Sequence, residues 1–492
     1  MADNSRILKD LLIRTDPALA DRINADWWAQ QEMVRGARVA KYRRYNVGDH
    51  DQTMTEQMKA MLRLKSTSDE LNDLNVNYCS VVVDKMASRL AVDSWNTGNE
   101  QGDEWLMELM QRSKIDNLEG SIYRSSIRDG DSYIMVDTAN MILTSEPAYN
   151  GHDGVTVIYG EADEVIWACK LWSVSSQALV NQEEDDYSYS EVMKAIVYQP
   201  GRLTYWRQDG ALVMEKEEFW GNVGIVPVVP VVNKRDNYSS YGESEIRPAL
   251  PIQDIINRMV YSTTMNAELT AFIIRYIVGF EIDPMEIMPG AVINLPLTDK
   301  SGNAITGIDD ETANFLRSIQ IGSLEAGDMS QFVVVLDRMV RELSQATQTP
   351  IYGAGTSNMS GEALKQLEIG LIGKCQRFQK ENTDAWKQAV MVAHKIQGAF
   401  ATSFGTPPAI DYVSVSWKSA EIRNLNDDLN TLVNMYKSAP NLFPNKWYRQ
   451  RIGGMLGLST DEIASIEDMV AADQEDYFEA LSIGRGGSIP LV

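Results

Sequence analysis

Apolar side chains recur every three or four positions through most of the first ninety residues, which predicts helices there. Thr15-Asp16-Pro17 reads as a helix start, and the adjoining stretch to Arg44 mixes apolar and charged residues at helical spacing. Residues 74–90 continue helically, with Val76, Val83, Met86, Ala87 and Leu90 able to share one face. Further helices are predicted over 104–110 and 118–129. From Ser132 the pattern changes to short runs rich in β-branched and aromatic residues, at 133–136, 155–159, 165–172 and 192–198. Pro200-Gly201 and Asp209-Gly210 place tight turns between 192–198, 203–207 and 211–214, so this part predicts an antiparallel meander. Residues 182–186 predict an exposed acidic loop. In Val226-Pro227-Val228-Val229-Pro230-Val231-Val232 the two prolines rule out a helix and a central strand alike, leaving an extended segment.

The most informative stretch begins at Pro251. Apolar residues fall at Ile252, Ile255, Ile256, Met259, Val260, Leu269, Phe272, Ile273 and Tyr276, which is helical spacing. A helix over 251–276 would span roughly 35–40 Å at 1.5 Å per residue. Residues 279–306 break into Pro-, Gly- and Asp-containing pieces with short extended runs such as 291–295. A second amphipathic helix comes next, with Phe332, Val335, Leu336, Met339, Val340 and Leu343 on one face, and Thr349-Pro350 ends it. A plain helical hairpin needs only a short connection, so the insertion between the two helices predicts a working part. Gly353-Ala354-Gly355-Thr356-Ser357-Asn358-Met359-Ser360-Gly361 predicts a flexible polar loop with no apolar anchor except Met359. A third long helix is predicted over 362–399, with Leu364, Leu367, Leu371, Cys375 and Phe378 spaced at three and four. After Pro407-Pro408, residues 410–417 alternate like a strand, and from Ser419 the chain reads as helical and acidic, ending in a loose tail over 484–492.

At 492 residues the chain is too long for one compact core and predicts two to four structural units. Its 44% hydrophobic and 23% charged residues are the balance of an ordinary folded protein, which argues against global disorder. The formal net charge is −24, from 69 acidic against 45 basic residues. Such a chain does not grip DNA by neutralising phosphates, because that mode needs clustered Lys and Arg. Two readings of the charge stay open: solubility, and an acidic wall that repels a DNA backbone and keeps a moving duplex from sticking. Cys79, Cys169 and Cys375 are far apart and odd in number, so they form neither a disulfide framework nor a zinc knuckle, which fits a reducing cytoplasm. No run of about 18 uninterrupted apolar residues occurs, which argues against a membrane span, and the charged N-terminus predicts no signal peptide.

Catalytic signatures are mostly absent. The histidines are His50, His152 and His394, none of them in an HExxH arrangement or paired with a neighbouring histidine. Asp49-His50-Asp51 reads as a solvated turn, because three adjacent side chains do not easily converge on one ion. Gly370-Leu371-Ile372-Gly373-Lys374-Cys375 lacks the glycine spacing and the Ser/Thr of a phosphate loop. It lies inside a periodic helix, where its glycines permit close packing or bending. In Asp129-Gly130-Asp131 a helix-to-strand junction explains the glycine better than a cation does. No Gly-x-Ser-x-Gly elbow is present, and no cysteine has a histidine nearby in sequence. The expectation is a protein that is not an enzyme and uses no cofactor and no metal. Trp27-Trp28, Trp167, Trp172, Trp206 and Trp220 lack interleaved basic residues, so they read as core and interface anchors rather than as platforms for bases.

In its order of motifs the chain resembles the portal proteins of long-tailed, siphovirus-type bacteriophages, and the likeness runs through nearly the whole sequence. Tyr42-Arg43-Arg44-Tyr45-Asn46-Val47-Gly48-Asp49-His50 is similar to that family's aromatic-Gly-acid-His segment. Asn77-Tyr78, Val81-Val82-Val83-Asp84 and Arg89-Leu90 resemble its next helical block, and Gly130-Asp131-Ser132-Tyr133 its entry into a β-rich part. Val226-Pro227-Val228-Val229 with Asn233, then Gly242-Glu243-Ser244-Glu245-Ile246, resemble the lead-in to its first stem helix, which here would hold Gln253-Asp254-Ile255-Ile256-Asn257.

The resemblance implies an α+β, mainly helical portal fold that forms rings. Residues 1–245 would be a wing, completed by a long helix and returning strand over 362–417. The stem helices would be 246–278 and 325–348, packing through Ile252, Ile255, Ile256, Met259, Val260, Phe332, Leu336, Met339 and Val340. Residues 279–324 would be a partner-binding clip, with Met285, Glu286, Asp299, Lys300, Asp309 and Asp310 as its contacts. Residues 349–361 would be a tunnel loop narrowing the channel, and 418–492 a crown. The implied assembly is a closed homo-oligomeric ring of about twelve copies at a capsid vertex of the virion, built in the host cytoplasm. Its implied partners are double-stranded DNA passing without sequence preference, the terminase motor, a head-completion adaptor, and the major capsid and scaffolding proteins, with no membrane. The rival expectations are another structural head protein, such as a minor head or scaffolding component, and a nucleotide-hydrolysing packaging enzyme.

Overall fold

The computed structural model describes residues 4–51, 75–161, 163–181, 186–219, 223–236, 239–271, 275–278, 320–323, 330–351, 361–400 and 404–421, with scattered positions as far as Ile452. The chain divides into two units, Met1–Ala420 and Glu421–Val492, and among the described residues the first holds the β-sheets and both hydrophobic cores. The acidic stretches of 460–462 and 473–479, the tail over 484–492, the extended run at 291–295 and Trp220 lie outside the described residues.

Helices α1 (Asn4–Thr15), α2 (Pro17–Ile23) and α3 (Ala25–Val47) open the chain. The helix start expected at Thr15-Asp16-Pro17 is α2: the Asp16 side chain accepts the Leu19 amide and Pro17 occupies the first turn, where its missing N–H costs nothing. Ile7, Leu8, Leu11 and Leu12 of α1 and Trp28 of α3 bury against Trp167, Leu171 and Trp206 of a β-sheet. Trp28 and Trp167 meet edge to face at 5.5 Å, and Trp167 Nε1 donates to Thr15 Oγ1 at 3.0 Å. These tryptophans are core anchors, as their sequence context implied, whereas Trp27 stays exposed.

Helices α4 (Tyr78–Ala87), α5 (Glu100–Arg112) and α6 (Ile115–Asp129) come next, with the short strand β1 (Val92–Asn96) between the first two. Two antiparallel sheets succeed them. Strands β2 (Asp131–Asp137), β3 (Ile142–Pro147) and β9 (Val228–Val232) form one in the order β3-β2-β9. Strands β4 (Gly154–Tyr159), β5 (Val165–Asn181), β6 (Asp186–Gln199), β7 (Arg202–Asp209) and β8 (Ala211–Phe219) form the meander that the turn signals predicted.

The proline-bearing segment is the edge strand β9. Asn233 donates its amide to Gly130 O, so by alternation Val231 and Val229 bond β2 while Val232, Pro230 and Val228 turn outward. Pro230 thus removes no ladder bond. The outward amide and carbonyl of Val232 are taken by the Asn382 side chain at 2.9 and 3.0 Å.

Asn382 belongs to the longest helix, α9 (Gly361–Phe400), which lies after α7 (Leu250–Ala271) and α8 (Ser330–Ala346) in sequence. Its buried stripe of Leu371, Cys375, Phe378, Trp386, Ala389, Ala393 and Ile396 runs through the main core. Trp386 meets Trp95 edge to face at 5.5 Å and donates to Tyr123 Oη at 3.0 Å. Strand β12 (Ser414–Trp417) pairs antiparallel with β1, which apolar patterning did not predict.

Helix α7 ends sooner than its apolar spacing predicts. After it, β10 (Arg275–Val278) pairs antiparallel with β11 (Gln320–Ser323), so the 41-residue insertion between them is closed at its base by a strand pair. The cause is local: Phe272-Ile273-Ile274-Arg275-Tyr276-Ile277-Val278 is dense in β-branched and aromatic residues, which favour a pleated surface over a helix. Among the described residues no helix is long and apolar enough to cross a membrane.

Candidate functional site

The first stem candidate, α7, is fastened at its start to two N-terminal segments by a directional chain of hydrogen bonds. The Tyr78 amide donates to Gln253 Oε1 at 2.9 Å, which orients Gln253 so that Nε2 donates to the Val76 carbonyl at 2.6 Å and to Asn257 Oδ1 at 3.2 Å. Asn257 Nδ2 then donates to His50 Nδ1 at 2.7 Å, and His50 Nε2 donates to the Tyr45 carbonyl at 3.2 Å. A backbone amide thereby dictates, three side chains away, which imidazole nitrogen carries the proton. Beside this chain the Tyr45 hydroxyl donates to both oxygens of Asp254, at 2.8 and 2.9 Å. The expectation of a solvated turn at Asp49-His50-Asp51 therefore needs correcting. Asp49 and Asp51 do lie at the surface, paired with Arg44 and Lys41, but His50 between them is 2% exposed and serves α7.

Protonating His50 would place a second N–H against the Asn257 donor, and burial holds the imidazole below its ordinary range, with Asp254 and Asp49 opposing in part. The folded-state value is depressed, so this stabilisation is complete above the unfolded value, near 6.5, and is lost as pH falls toward the folded one. Wild type should lose up to about 1.4 kcal/mol per pH unit from this group in that window. Burial pushes Asp131 up to about 6 and Glu119 up to about 7, and both act in the opposite sense. The measurement is therefore the difference in melting temperature between wild type and His50→Gln from pH 7.5 to 5.5. The gap should narrow or invert on acidification, and parallel curves would remove His50 from this role.

A second joint holds the lead-in to α7. Gly130, at φ +97°, and Gly242 meet backbone to backbone: a Cβ on Gly242 would stand 2.3 Å from the carbonyl oxygens of both Asn233 and Gly130. Gly130 is thus a helix-to-strand junction, and the Gly242 amide donates to Asp131 Oδ1 at 2.8 Å. Three residues on, Glu245 is fully buried. Its carboxylate lies 3.0 Å from Lys374 Nζ, 3.0 Å from Lys234 Nζ and 3.7 Å from Arg377, and accepts from Asn233 Nδ2 at 3.3 Å. Burial alone would raise this carboxyl, but Lys374 and Lys234 outweigh it and hold it below the ordinary range. Lys374 also donates to the Thr347 carbonyl at 2.6 Å and to Thr349 Oγ1 at 3.1 Å, at the end of α8.

Helices α7 and α8 pack together, and the stem residues divide between two faces. Ile256 is buried in the main core, with Ile252, Val260, Leu336, Met339 and Val340 packed against it. Met259 and Phe332 are half-buried. Ile255 is 45% exposed, and Val335, expected on one face with Phe332, Leu336, Met339, Val340 and Leu343, is exposed together with Val333 and Val334. Consecutive helical residues are about 100° apart, so three valines in a row cover some 200° of circumference. A single partner helix cannot cover them all.

The loop residues Gly353, Ala354, Gly355, Thr356, Ser357, Asn358, Met359 and Ser360 lie outside the described residues, and Gly361 is the first residue of α9. The clip positions Met285, Glu286, Asp299, Lys300, Asp309 and Asp310 also lie outside them. Among the described residues no three His, Cys, Asp or Glu side chains are grouped to hold a metal ion. The three cysteines are buried free thiols, and burial pushes Cys79 up to about 12 and Cys375 up to about 11. Gly370 permits close packing: a Cβ there would stand 3.2 Å from Gln348 Cβ, while one on Gly373 would meet nothing within 4 Å. Sequence reasoning assigned no role to Lys374, Glu245 or Asn257. For Lys374 and Asn257 the one local signal is a polar residue set within an otherwise apolar helical stripe; Glu245, in the turn before α7, carries none.

A family model described as phage portal protein, SPP1 Gp6-like, matches residues 37–476. The portal protein of Mycobacterium phage D29 is 24% identical over 432 residues, spanning 84% of this chain and 81% of its own. That of Mycobacterium phage L5 is 25% identical over 436 residues, with the same coverage of 84% and 81%. Among solved structures, a chain of the virion of a native gene transfer agent particle aligns at 10% identity and a TM-score of 0.41, over 84% of this chain and 99% of that one. A chain from the neck of an empty gene transfer agent particle aligns at 12% identity and 0.41, over 83% and 96%.

Proposed function

The chain belongs to the SPP1 Gp6-like family of phage portal proteins, and from that premise we propose that its copies close into a ring whose bore passes double-stranded DNA at one vertex of the capsid. It is a structural protein of a phage particle. In this reading α7 and α8 form the stem, the helices and sheets of residues 1–245 with α9 and β12 form the wing, and 418–492 the crown. The insertion over 279–324 is the clip that meets first the terminase motor and then the head-completion adaptor. Residues 349–361 narrow the bore. The ring also contacts the major capsid and scaffolding proteins and hydrolyses no nucleotide itself.

One observation carries the ring: α7 and α8 satisfy their inner faces within the subunit and still present Ile255, Val333, Val334 and Val335 outward. Exposed β-branched residues on both members of a helix pair are what neighbouring copies would cover in a heterologous, closing assembly. The net charge of −24 accords with a bore that does not bind the duplex it conducts. Low-dose electron microscopy of the purified protein tests the reading. Axial averages should show rotational symmetry and a central hole. Particles without a hole would favour another structural head protein, and nucleotide hydrolysis by the pure protein would favour a packaging enzyme.

A further inference from the structure

The chain leaves α8 and enters α9 on either side of residues 352–360. The end of α8 is fixed by more than its own helix. Gln348 donates its amide to Gln345 O at 3.1 Å and Thr349 to Ser344 O at 3.0 Å, the double closure of a helix end, with Gln348 in the left-handed region at φ +49°. A residue with a Cβ disfavours that conformation, so neighbours must hold it. Lys374 Nζ grips both sides of Gln348, through the Thr347 carbonyl and the Thr349 hydroxyl, and Lys85 of α4 donates to the next carbonyl, that of Pro350. Gly370, one turn ahead of Lys374, lets α9 approach Gln348 closely enough for this.

The third donor of Lys374 goes to Glu245, at 3.0 Å. Lys374 is not the sole counter-charge of Glu245, since Lys234 Nζ sits 3.0 Å from the same oxygen and Arg377 lies 3.7 Å from the other. What Lys374 alone supplies is reach: one side chain, 3% exposed, joins the end of α8, the body of α9 and the lead-in to α7. A buried ion pair is often no more stabilising than apolar packing of the same size, whereas three bonds from one ammonium specify a single arrangement.

We infer that Lys374 is a positioning residue of the channel, setting where the chain departs α8 and making α7, α8 and α9 move as one body at this joint. The inference rests on the portal reading and adds to it a named mechanical link between stem and wing.

The test compares two lysines that touch the same carboxylate oxygen. In Lys374→Met, amide exchange over 347–351 should accelerate by about tenfold or more, because bonds from a charged donor are lost. Rings should still form, and DNA packaged into proheads should fall. Lys234→Met removes an ion pair of the same length to the same oxygen but no bond to α8, and should leave exchange over 347–351 as in wild type. Should Lys374→Met not fold, Thr349→Val, which deletes one acceptor and keeps the ion pair, should accelerate the same amides. Unchanged exchange in Lys374→Met, or equal acceleration in both lysine variants, would overturn the inference. Wild-type protein that formed no rings would overturn the portal reading alone, because exchange is also measurable on the subunit.

Discussion

Ile255→Asp is expected to give a folded subunit that no longer closes into rings, whereas Ile256→Asp, one position on, is expected to lose the folded subunit itself. The two side chains point about 100° apart on α7. Ile255 is 45% exposed, so an aspartate there costs the isolated chain only about 0.5 kcal/mol of helix propensity. In a ring the same carboxylate would be pressed against a neighbour's apolar surface and stripped of water without a partner, which costs several kcal/mol per contact. Ile256 is 0% exposed and packed into the main core. A buried, unpaired carboxylate in that place is among the few substitutions expected to exceed about 4 kcal/mol. Thermal melts separate subunit stability from assembly, and size-exclusion light scattering reads the rings. Full-sized rings formed by Ile255→Asp at wild-type yield would remove this face from the interface.

Trp386→Ala should be the most damaging apolar deletion in the long helix. Its indole is fully buried between Trp95 and Tyr123 and donates to the buried Tyr123 hydroxyl. Deleting a buried tryptophan costs about 3–5 kcal/mol through lost transfer energy and the cavity left behind. The orphaned hydroxyl adds about 1–3 kcal/mol. Trp386→Phe keeps most of the volume and loses mainly the bond, so it should cost roughly half as much. Urea melts of the two variants check both figures. A loss below about 1 kcal/mol for the alanine variant would mean that α9 is not anchored to α6 and β1 through this ring.

Much of this fold was legible in the sequence, and the exceptions share a cause. Asp16-Pro17 starts a helix and Pro227 with Pro230 make an edge strand because a cap and a missing amide act within a few residues. The early end of α7 was harder, since apolar spacing alone continued to Tyr276 while local β-branched density turned the chain into β10. Strand β1 was not legible at all, because its partner lies more than 300 residues away at β12. The site shows the same division. Tyr42–His50, Asn77-Tyr78, Gly130-Asp131, Gly242–Glu245 and Gln253–Asn257 were readable as an order of motifs. That they converge on the root of α7, with His50 207 residues from Asn257, is information only a folded chain holds. His50 looked solvated because its immediate neighbours are charged, and charged neighbours do not reveal what packs from a distant helix. Lys374 was hidden by a stripe whose other members are core residues.

The carboxamide of Asn382 has a consequence for how such subunits accumulate before they assemble. It fills the slot at Val232 where an incoming backbone would dock, so the small sheet cannot recruit a foreign strand at that rung. Sheet edges add partners without limit, and a ring of the kind proposed would gain from having this rung plugged. In the proposed ring, closure would fall to surfaces away from this rung, such as the exposed side of α7 and α8.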